Sequence, residues 1–218
     1  MLSVQQHQQT PKPDFSKAYG LESNYLCPKR LASFGQQLTT VLELRPGNVL
    51  EVGKGPGLVT GALRAVGVDV VTLDLRPELK PDLVGSVLEI PSADGAFDLA
   101  LCCQVLEHLP FADFQRALGE LRRVTRRALV LSVPDTTRHY FVRLRLPLLK
   151  DAFWSCSIPR RKKRGPKTPG HHWEIGFPGT SLDEVQKGIQ ASGWRICRSW
   201  RVTDFSWHRF FLLEQARD

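Results

Sequence analysis

The stretch VLEVGKGPG at residues 49–57 decides the fold class. It joins a buried-strand run to three glycines, Gly53, Gly55 and Gly57, and a helical pattern over 58–67 follows. Glycines let the backbone turn sharply, and they let a ligand approach the main-chain amides at a helix N-terminus. The spacing G-x-G-x-G differs from the dinucleotide fingerprint G-x-G-x-x-G, and no G-K-[ST] follows as in a P-loop.

Two carboxylates flank this loop in the sequence. Glu51 lies two residues before the first glycine, where a carboxylate suits a cationic, amino-bearing ligand better than a pyrophosphate. Asp74 ends the next strand pattern, 21 residues after Gly53. A carboxylate at a strand end can accept hydrogen bonds from both hydroxyls of a ribose, although Asp74 alone could also cap the segment 76–77. Taken together, loop and acids predict a nucleoside site.

Strand and helix patterns alternate around the loop. Such alternation predicts an α/β fold with a mostly parallel sheet and helices on both faces, and the last two strands predict an antiparallel C-terminal hairpin. Ser181 and Glu184 have the spacing of a capping box at the start of a late helix. The predicted strands are 48–52, 69–75, a part of 96–106, 128–133, 194–202 and 208–216, and the earlier helices are 28–44, 58–67 and 111–124.

The loop and its acids resemble the class I S-adenosylmethionine-dependent methyltransferases, over roughly residues 45–135. An acid followed by G-x-G-x-G matches the first motif of that family, and Asp74 matches its ribose-binding acid. The segment 83–110, LVGSVLEIPSADGAFDLALCCQVLEHLP, looks like the adenine-binding turn and fourth strand of the family, in its small-molecule branch. The resemblance implies a Rossmann-like fold and S-adenosylmethionine as the cofactor.

The resemblance also implies which residues contact that cofactor. The family usually has Asp in the adenine-binding turn, where this chain has Ser86, whose hydroxyl can also accept a hydrogen bond. Gln104 and its neighbours are expected at the methionine end. The full set of expected cofactor-binding residues is Glu51, Gly53, Gly55, Gly57, Asp74, Leu75, Ser86, Val87 and Gln104.

Methyl transfer from a sulfonium is an in-line displacement, so the protein mainly has to position the acceptor. A base is needed only if the acceptor must lose a proton. Candidates are Glu107, His108, His171, His172 and Glu174, and the three histidines are the expected catalytic residues. The loop GHHWEIG at 170–176 is equally consistent with a packed loop that locks an insertion onto the sheet.

A metal site formed by His171, His172 and Glu174 is the other reading of that loop. Adjacent histidines seldom converge on one ion, because their side chains point in different directions. No metal ligand is therefore expected from the sequence.

Positive charge is concentrated in one segment. The chain has 30 basic and 22 acidic residues, a net charge of +8, yet residues 138–170 alone carry +9 because ten basic residues accompany one acid. The run PRRKKRGPK at 159–167 fits a solvated loop, a clamp for an anionic substrate, a nucleic-acid contact or an interfacial anchor. The aromatic residues and leucines of 139–154 suit an anionic membrane surface or a hydrophobic lid.

Composition limits the remaining classes. Five cysteines without a C-x-x-C pair make a disulfide framework or a zinc knuckle unlikely and favour free thiols in a reducing cytoplasm. The N-terminus lacks the features of a secretory signal, and no apolar run is long enough for a transmembrane helix. We expect a disordered tail over 1–16 and a single domain over 17–218, with a basic cap insertion at about 136–178. The expected location is the cytoplasm, with peripheral membrane contact as an extension.

The sequence thus predicts a methyltransferase that transfers a methyl group to oxygen or nitrogen of a small or lipid-linked acceptor. Two alternatives stay open. One is a nucleic-acid methyltransferase whose basic insertion grips phosphates, although no N-P-P-[YF]-like loop is present. The other is a non-catalytic protein that keeps the cofactor site. A dehydrogenase is disfavoured by the glycine spacing.

Overall fold

The computed structural model describes residues 19, 23, 25–144, 152–158, 165–166 and 168–216. The expected tail over 1–16 and the basic run 160–164 lie outside the described residues. The helices and strands in chain order are α1 Pro28–Leu44, β1 Asn48–Val52, α2 Leu58–Ala65, β2 Asp69–Asp74, β3 Leu83–Val84, β4 Phe97–Cys103, α3 Phe114–Val124, β5 Thr125–Pro134, β6 Arg138–Leu144, β7 Ala152–Ile158, α4 Leu182–Ala191, β8 Trp194–Val202 and β9 Phe205–Gln215.

Seven strands form the main sheet in the order β3-β2-β1-β4-β5-β9-β8. The first five are parallel to one another, whereas β9 pairs antiparallel with both β5 and β8. The predicted Rossmann-like α/β fold with an antiparallel C-terminal hairpin is therefore confirmed. The two-residue edge strand β3 and the separate hairpin of β6 and β7 were not predicted as strands.

Both faces of the central strands are buried, which explains why those strands have continuous apolar runs. On one face, Val49 packs in a cluster with residues of α1 and α2 such as Val41 and Leu63. On the other face, Leu50 packs in a cluster with residues of α3 and α4 such as Leu118. Because alternate residues of a strand point to opposite faces, consecutive residues of β1 serve different cores.

The cap insertion leaves the sheet and returns to it at one place. The amide of Thr136 donates to the carbonyl of Ile175 over 2.9 Å, and the amide of Ile175 donates to the carbonyl of Pro134 over 2.9 Å. Between these points, β6 and β7 pair antiparallel as a two-stranded sheet of their own. None of the helices in the part of the chain described here is long and apolar enough to cross a membrane.

A buried ion cluster holds the start of the insertion. Asp135 is 1% exposed, and its Oδ2 accepts from the guanidinium Nε of Arg209 over 2.6 Å and pairs with Arg201. Its Oδ1 accepts from the amide of Thr137 over 2.9 Å and from the hydroxyl of the same residue over 2.7 Å. A buried carboxylate is tolerated only when it is paired and hydrogen-bonded, and its two arginine partners come from β8 and β9. The cluster thereby fixes the direction in which the chain leaves β5.

The capping box at the start of α4 is confirmed and can be tested by substitution. The hydroxyl of Ser181 accepts from the amide of Glu184 over 3.2 Å, and the carboxylate of Glu184 accepts from the amide of Ser181 over 2.7 Å. We expect Ser181→Ala to lower the free energy of unfolding by about 1 kcal/mol. This corresponds to a fall in Tm of about 2–4 °C, measurable by calorimetry.

Thr39→Ala is the control for this prediction. The exposed Thr39 hydroxyl donates only to carbonyls of its own helix, those of Gly35 and Gln36. We expect a change within about 0.5 kcal/mol. Equal losses in both variants would show that the capping box adds nothing specific to stability.

Candidate active site

A cavity of about 560 Å³ lies at the carboxyl ends of β1, β2 and β4. Ligands of open α/β sheets bind at this edge, where the strand order reverses, and the volume is typical of a small-molecule site. The structure brings most of the predicted site residues to this one cavity. Those that line it are Gly53, Gly55, Asp74, Leu75, Ser86, Val87, Gln104, His108 and His171.

The glycine loop between β1 and α2 needs glycine for reasons of space and backbone conformation. Gly53 has a φ of 77°, and a Cβ on it would lie 2.4 Å from Cγ2 of Val105. Gly57 also has a φ of 77° and precedes α2 directly, but it does not line the cavity. The Nζ of Lys54 donates to the carbonyls of Leu79 and Lys80, each over 2.9 Å, and so anchors the loop.

Glu51 lines a smaller pocket that adjoins the cavity at the glycine loop. Its carboxylate is buried and accepts a short hydrogen bond from the hydroxyl of Thr60. Burial raises the pKa of Glu51 to about 7, against the opposing effects of Thr60 and of the positive charge on Lys54. A cation placed beside Glu51 would favour its ionised form.

Three further side chains of this smaller pocket were not predicted. Arg30 of α1 lies over the ring of Tyr25, with 4.2 Å between its Cζ and the ring centroid. His208 of β9 is buried, and burial lowers its pKa to about 3, so its ring is neutral. Its Nδ1 is 2.7 Å from the hydroxyl of Ser33. These residues come from outside the segment that carries the recognised motifs, so no local pattern pointed to them.

Asp74 and Ser86 each take part in a local turn at the edge of the cavity. The Oδ1 of Asp74 accepts from the amide of Arg76 over 3.1 Å. The hydroxyl oxygen of Ser86 accepts from the amide of Leu88 over 3.1 Å. Between them lies an apolar surface, because Val87 is buried and Leu75 is 64% exposed at the cavity rim.

Gln104, directly after β4, has a backbone conformation that is rare for a residue with a side chain. Its φ is 57°, in the left-handed region. Its amide donates to the carbonyl of Ser132 over 2.9 Å, and its Nε2 donates to the hydroxyl of Ser132 over 3.2 Å. Such strain is kept where the surrounding structure enforces it, often at functional sites.

The far end of the cavity is formed by Glu107, His108 and His171. The two imidazole rings meet edge to face, with 4.9 Å between their centroids. Glu107 is 0% exposed, and neither of its carboxylate oxygens has a hydrogen-bond partner among the described residues. Burial raises its pKa to about 8, with a further contribution from the negative charge of Glu174. Glu107 was considered as a base from the sequence but was not selected, because sequence alone does not show its burial.

The loop at 170–176 packs against the turn after β4. Trp173 is 3% exposed, contacts Phe111 and Phe114, and donates from its indole nitrogen to the carbonyl of Leu106 over 3.1 Å. His172 is exposed and is not part of the cavity lining, although its amide donates to the carbonyl of Glu107 over 2.8 Å. Trp173 therefore locks the insertion onto the sheet, as the packed-loop interpretation of the sequence supposed.

Comparison with known families agrees with this geometry. A family model described as "Methyltransferase domain" matches residues 50–131. The resemblance recognised in the sequence is confirmed, and the matched residues span β1 to β5, including the glycine loop, Asp74 and the turn with Glu107 and His108.

Relatives and solved structures extend the likeness beyond this domain. The chain is 33% identical over 90 residues to a ubiquinone biosynthesis O-methyltransferase of Xanthomonas euvesicatoria, covering 34% of this chain and 38% of that protein. It is 32% identical over 138 residues to a demethylmenaquinone methyltransferase of Thermus thermophilus, covering 51% of this chain and 62% of that protein. The alignments thus span less than two thirds of either relative.

A solved structure shows the same fold. The 1,6-didemethyltoxoflavin-N1-methyltransferase of Burkholderia thailandensis, crystallised with S-adenosylhomocysteine, superposes with a TM-score of 0.61 at 16% identity. The superposition covers 94% of this chain and 86% of that one. At this identity the likeness concerns the fold, and it includes the strands that follow the methyltransferase domain match.

The raised pKa of Glu51 predicts a stability change with a definite pH dependence. Its carboxyl titrates near 7 in the folded chain, against about 4.5 when exposed. Ionisation of Glu51 therefore costs the fold increasingly as pH rises from 4.5 to 7, by at most about 3 kcal/mol. We expect Glu51→Gln to be more stable than wild type at pH 8, and the difference to shrink at pH 5, in urea unfolding.

Glu89→Gln serves as the control, because the side chain of Glu89 is exposed to solvent. It should leave the pH dependence of unfolding unchanged. A stability difference between Glu51→Gln and wild type that stays constant from pH 5 to pH 8 would contradict the assigned titration.

Proposed function

We propose that the chain is an S-adenosylmethionine-dependent methyltransferase that acts on oxygen or nitrogen of a small-molecule acceptor. One observation carries this proposal: a single cavity extends from Asp74, past the glycine loop, to His108 and His171. It offers a nucleoside site at one end and titratable side chains at the other. The methyltransferase domain match over 50–131 supports the same activity.

The cofactor is proposed to lie along the predicted residues. Asp74 accepts from the ribose hydroxyls, and its Oδ2 accepts no hydrogen bond from the described residues. Leu75 and Val87 contact the adenine, with Ser86 at its edge. Gly53, Gly55 and Gly57 shape the loop beneath the ribose and the methionine chain, beside Gln104.

The amino-acid end of the cofactor fits the smaller pocket by charge. Glu51 and Arg30 both line that pocket, and a zwitterion carries one ammonium and one carboxylate. Glu51 is the partner for the ammonium, and Arg30 is the partner for the carboxylate. This pairing also compensates the burial of Glu51, because the ammonium favours the charged form.

The acceptor is proposed to occupy the end with His108 and His171. An aromatic side chain lies there: Trp207 is stacked on His171, with 5.8 Å between the ring centroids. Flat aromatic surfaces favour a planar acceptor. The names of the Xanthomonas and Thermus relatives, which refer to ubiquinone biosynthesis and demethylmenaquinone, support a ring of this kind.

The reaction is a displacement at the methyl carbon. The acceptor atom donates an electron pair to that carbon, the carbon–sulfur bond breaks with its pair going to sulfur, and S-adenosylhomocysteine is released. An acceptor hydroxyl also loses its proton. His108 and His171, at the acceptor end, are the residues proposed to contact the acceptor atom. Positioning of the acceptor supplies the larger part of the rate acceleration. His172 is exposed and outside the lining, so it is the weakest of the three catalytic candidates.

Substitution of Asp74 tests the cofactor site. We expect Asp74→Ala to weaken S-adenosylhomocysteine binding by about 1.5–3 kcal/mol, which is roughly 10- to 150-fold in Kd by calorimetry. The matched control is Asp69→Ala, because Asp69 is exposed at the opposite end of the same strand. Preference of the wild type for NADH over S-adenosylhomocysteine would refute the proposal.

The cap insertion is proposed to contact an anionic surface, which suits a lipid-linked acceptor. On one face of the β6–β7 hairpin, Tyr140, Val142 and Ile158 are exposed, together with Arg138 at the hairpin base. The register places these residues on one side, since Arg138 pairs with Ile158 and Tyr140 with Cys156. Apolar side chains beside basic ones suit the boundary of an anionic membrane. Nucleic acid is the less favoured partner.

Vesicle binding tests this contact. Each basic residue near an anionic surface contributes about 1 kcal/mol, so the wild type should cosediment with anionic vesicles at low salt and be released by moderate salt. Replacement of five residues by Gln should abolish cosedimentation without changing the affinity for S-adenosylhomocysteine. These five are Arg160, Arg161, Lys162, Lys163 and Arg164.

A control variant with the same change in net charge distinguishes contact of the insertion with the vesicle from a general effect of the protein's net charge. It replaces five exposed basic residues elsewhere by Gln, namely Lys29, Arg45, Arg116, Arg127 and Lys187. This control should still bind vesicles. Equal loss in both variants, or no binding by the wild type, would count against a surface contact of the insertion.

A further inference from the structure

Three side chains at the acceptor end of the cavity are placed to hold one metal ion. They are Glu107, His108 and His171, and one ligand atom from each lies within 4.8 Å of those from the other two. Glu107 and His108 come from the turn after β4, whereas His171 comes from the returning end of the cap insertion. The set differs from the combination of His171, His172 and Glu174 that was considered from the sequence. His172 is exposed and does not line the cavity.

Both imidazole rings are oriented by acceptors that fix their tautomers. The Nδ1 of His108 is 3.0 Å from the carbonyl oxygen of Gly170, and the Nδ1 of His171 is 3.0 Å from the carboxylate of Glu174. Because both partners are acceptors, each Nδ1 carries the proton, and each Nε2 has a free lone pair. A histidine that donates from one nitrogen to a carbonyl or carboxylate is the usual arrangement of a metal-binding histidine.

Glu107 supplies an independent observation. Its side chain is 0% exposed, and both carboxylate oxygens lack a hydrogen-bond partner among the described residues. A buried carboxylate without partners is costly, and a cation bound beside one that lines a cavity would compensate its charge. A cation between Glu107 and the two histidines is such a ligand.

We propose that Glu107, His108 and His171 form a binding site for a borderline divalent cation such as Zn²⁺. Two imidazoles and one carboxylate are ligands that such cations accept, whereas Mg²⁺ and Ca²⁺ prefer oxygen ligands alone. Three protein ligands leave coordination positions open, as in catalytic rather than structural sites.

The consequence for chemistry rests on the proposed methyltransferase function. The site lies in the lining of the acceptor end, so an open position is available to an acceptor oxygen. A bound cation lowers the pKa of a coordinated hydroxyl, whose proton then passes to water. The oxygen pair forms the bond to the methyl carbon as the carbon–sulfur bond breaks toward sulfur. The site thereby favours a hydroxylated acceptor, and the histidines act as ligands rather than as bases.

Titration with Co²⁺ tests the site without an activity assay. The untagged full-length chain, freed of metal by a chelator and dialysed, is titrated with Co²⁺ and followed by its visible absorption. We expect one equivalent to bind, with affinity at least 10-fold weaker in Glu107→Gln and in His171→Asn. Glu107→Gln keeps the size of the side chain and removes a buried carboxyl, so it is expected to fold. His172→Asn is the matched control, next to a ligand but outside the site, and should bind as wild type.

The outcomes separate this site from its alternatives. Binding that is lost in His172→Asn but kept in His108→Asn would point to the set with Glu174 and overturn the proposal. Intense near-ultraviolet charge-transfer bands would show thiolate ligands and overturn it as well, as would no binding by the wild type. Calorimetry with S-adenosylhomocysteine on the same samples tests the proposed methyltransferase function separately from the metal site. Failure to bind S-adenosylhomocysteine would contradict the function and leave the Co²⁺ result valid. Failure to bind Co²⁺ would contradict the metal site and leave the cofactor result valid.

Discussion

The end of the cavity with His108 and His171 depends on how the cap insertion is attached to the turn after β4. Two neighbouring hydrogen bonds make this attachment: the indole of Trp173 donates to the carbonyl of Leu106, and the amide of His172 donates to the carbonyl of Glu107. Burial of a tryptophan removes a large apolar area from water, and its indole nitrogen then requires a partner. The carbonyl of Leu106 is that partner, so packing and hydrogen bonding specify the same register. One consequence is that His171 lies beside Glu107 and His108.

Two buried carboxyls of the site, Glu51 and Glu107, carry raised pKa values of about 7 and 8. Both oppose folding when ionised, because their desolvation is not balanced within the described residues. Asp135 is also buried, but four donor groups surround it, and two of them are the guanidinium groups of Arg201 and Arg209. The fold therefore satisfies the carboxylate that holds the insertion and leaves unbalanced Glu107, which lines the cavity, and Glu51, which lines the smaller pocket. That difference is expected where the missing partner is a ligand.

The sequence predicted well which residues near the glycine loop line the cavity, because those residues are close together in the chain. Gly53, Gly55 and Asp74 belong to one β-α-β unit, and the order of strand, loop, helix and strand determines their neighbours. Residues from outside that unit could not be predicted in this way. Arg30 comes from α1 and Trp207 from β9, and sequence spacing does not show that they meet at one cavity. Glu107 stood beside His108 in the sequence, yet its burial and its missing partners are properties of the folded chain alone.

The hairpin of β6 and β7 shows a second limit of sequence patterns. The mixture of arginines and apolar residues after β5 has no clean alternation, and Pro147 excluded only a continuous helix. The strands pair with each other rather than with the main sheet, so neither face had to be apolar throughout. The insertion begins and ends at the last residues of β5, so its length and charge are free to vary without disturbing the order of the sheet. The returning segment 168–175 is more constrained. The side chains of Thr168 and His171 both contact the carboxylate of Glu174, and Trp173 fixes the segment to the sheet. The end of the cavity with His108 and His171 is thus tied to a part of the insertion that the core constrains, whereas Tyr140 and Val142 of the hairpin are exposed.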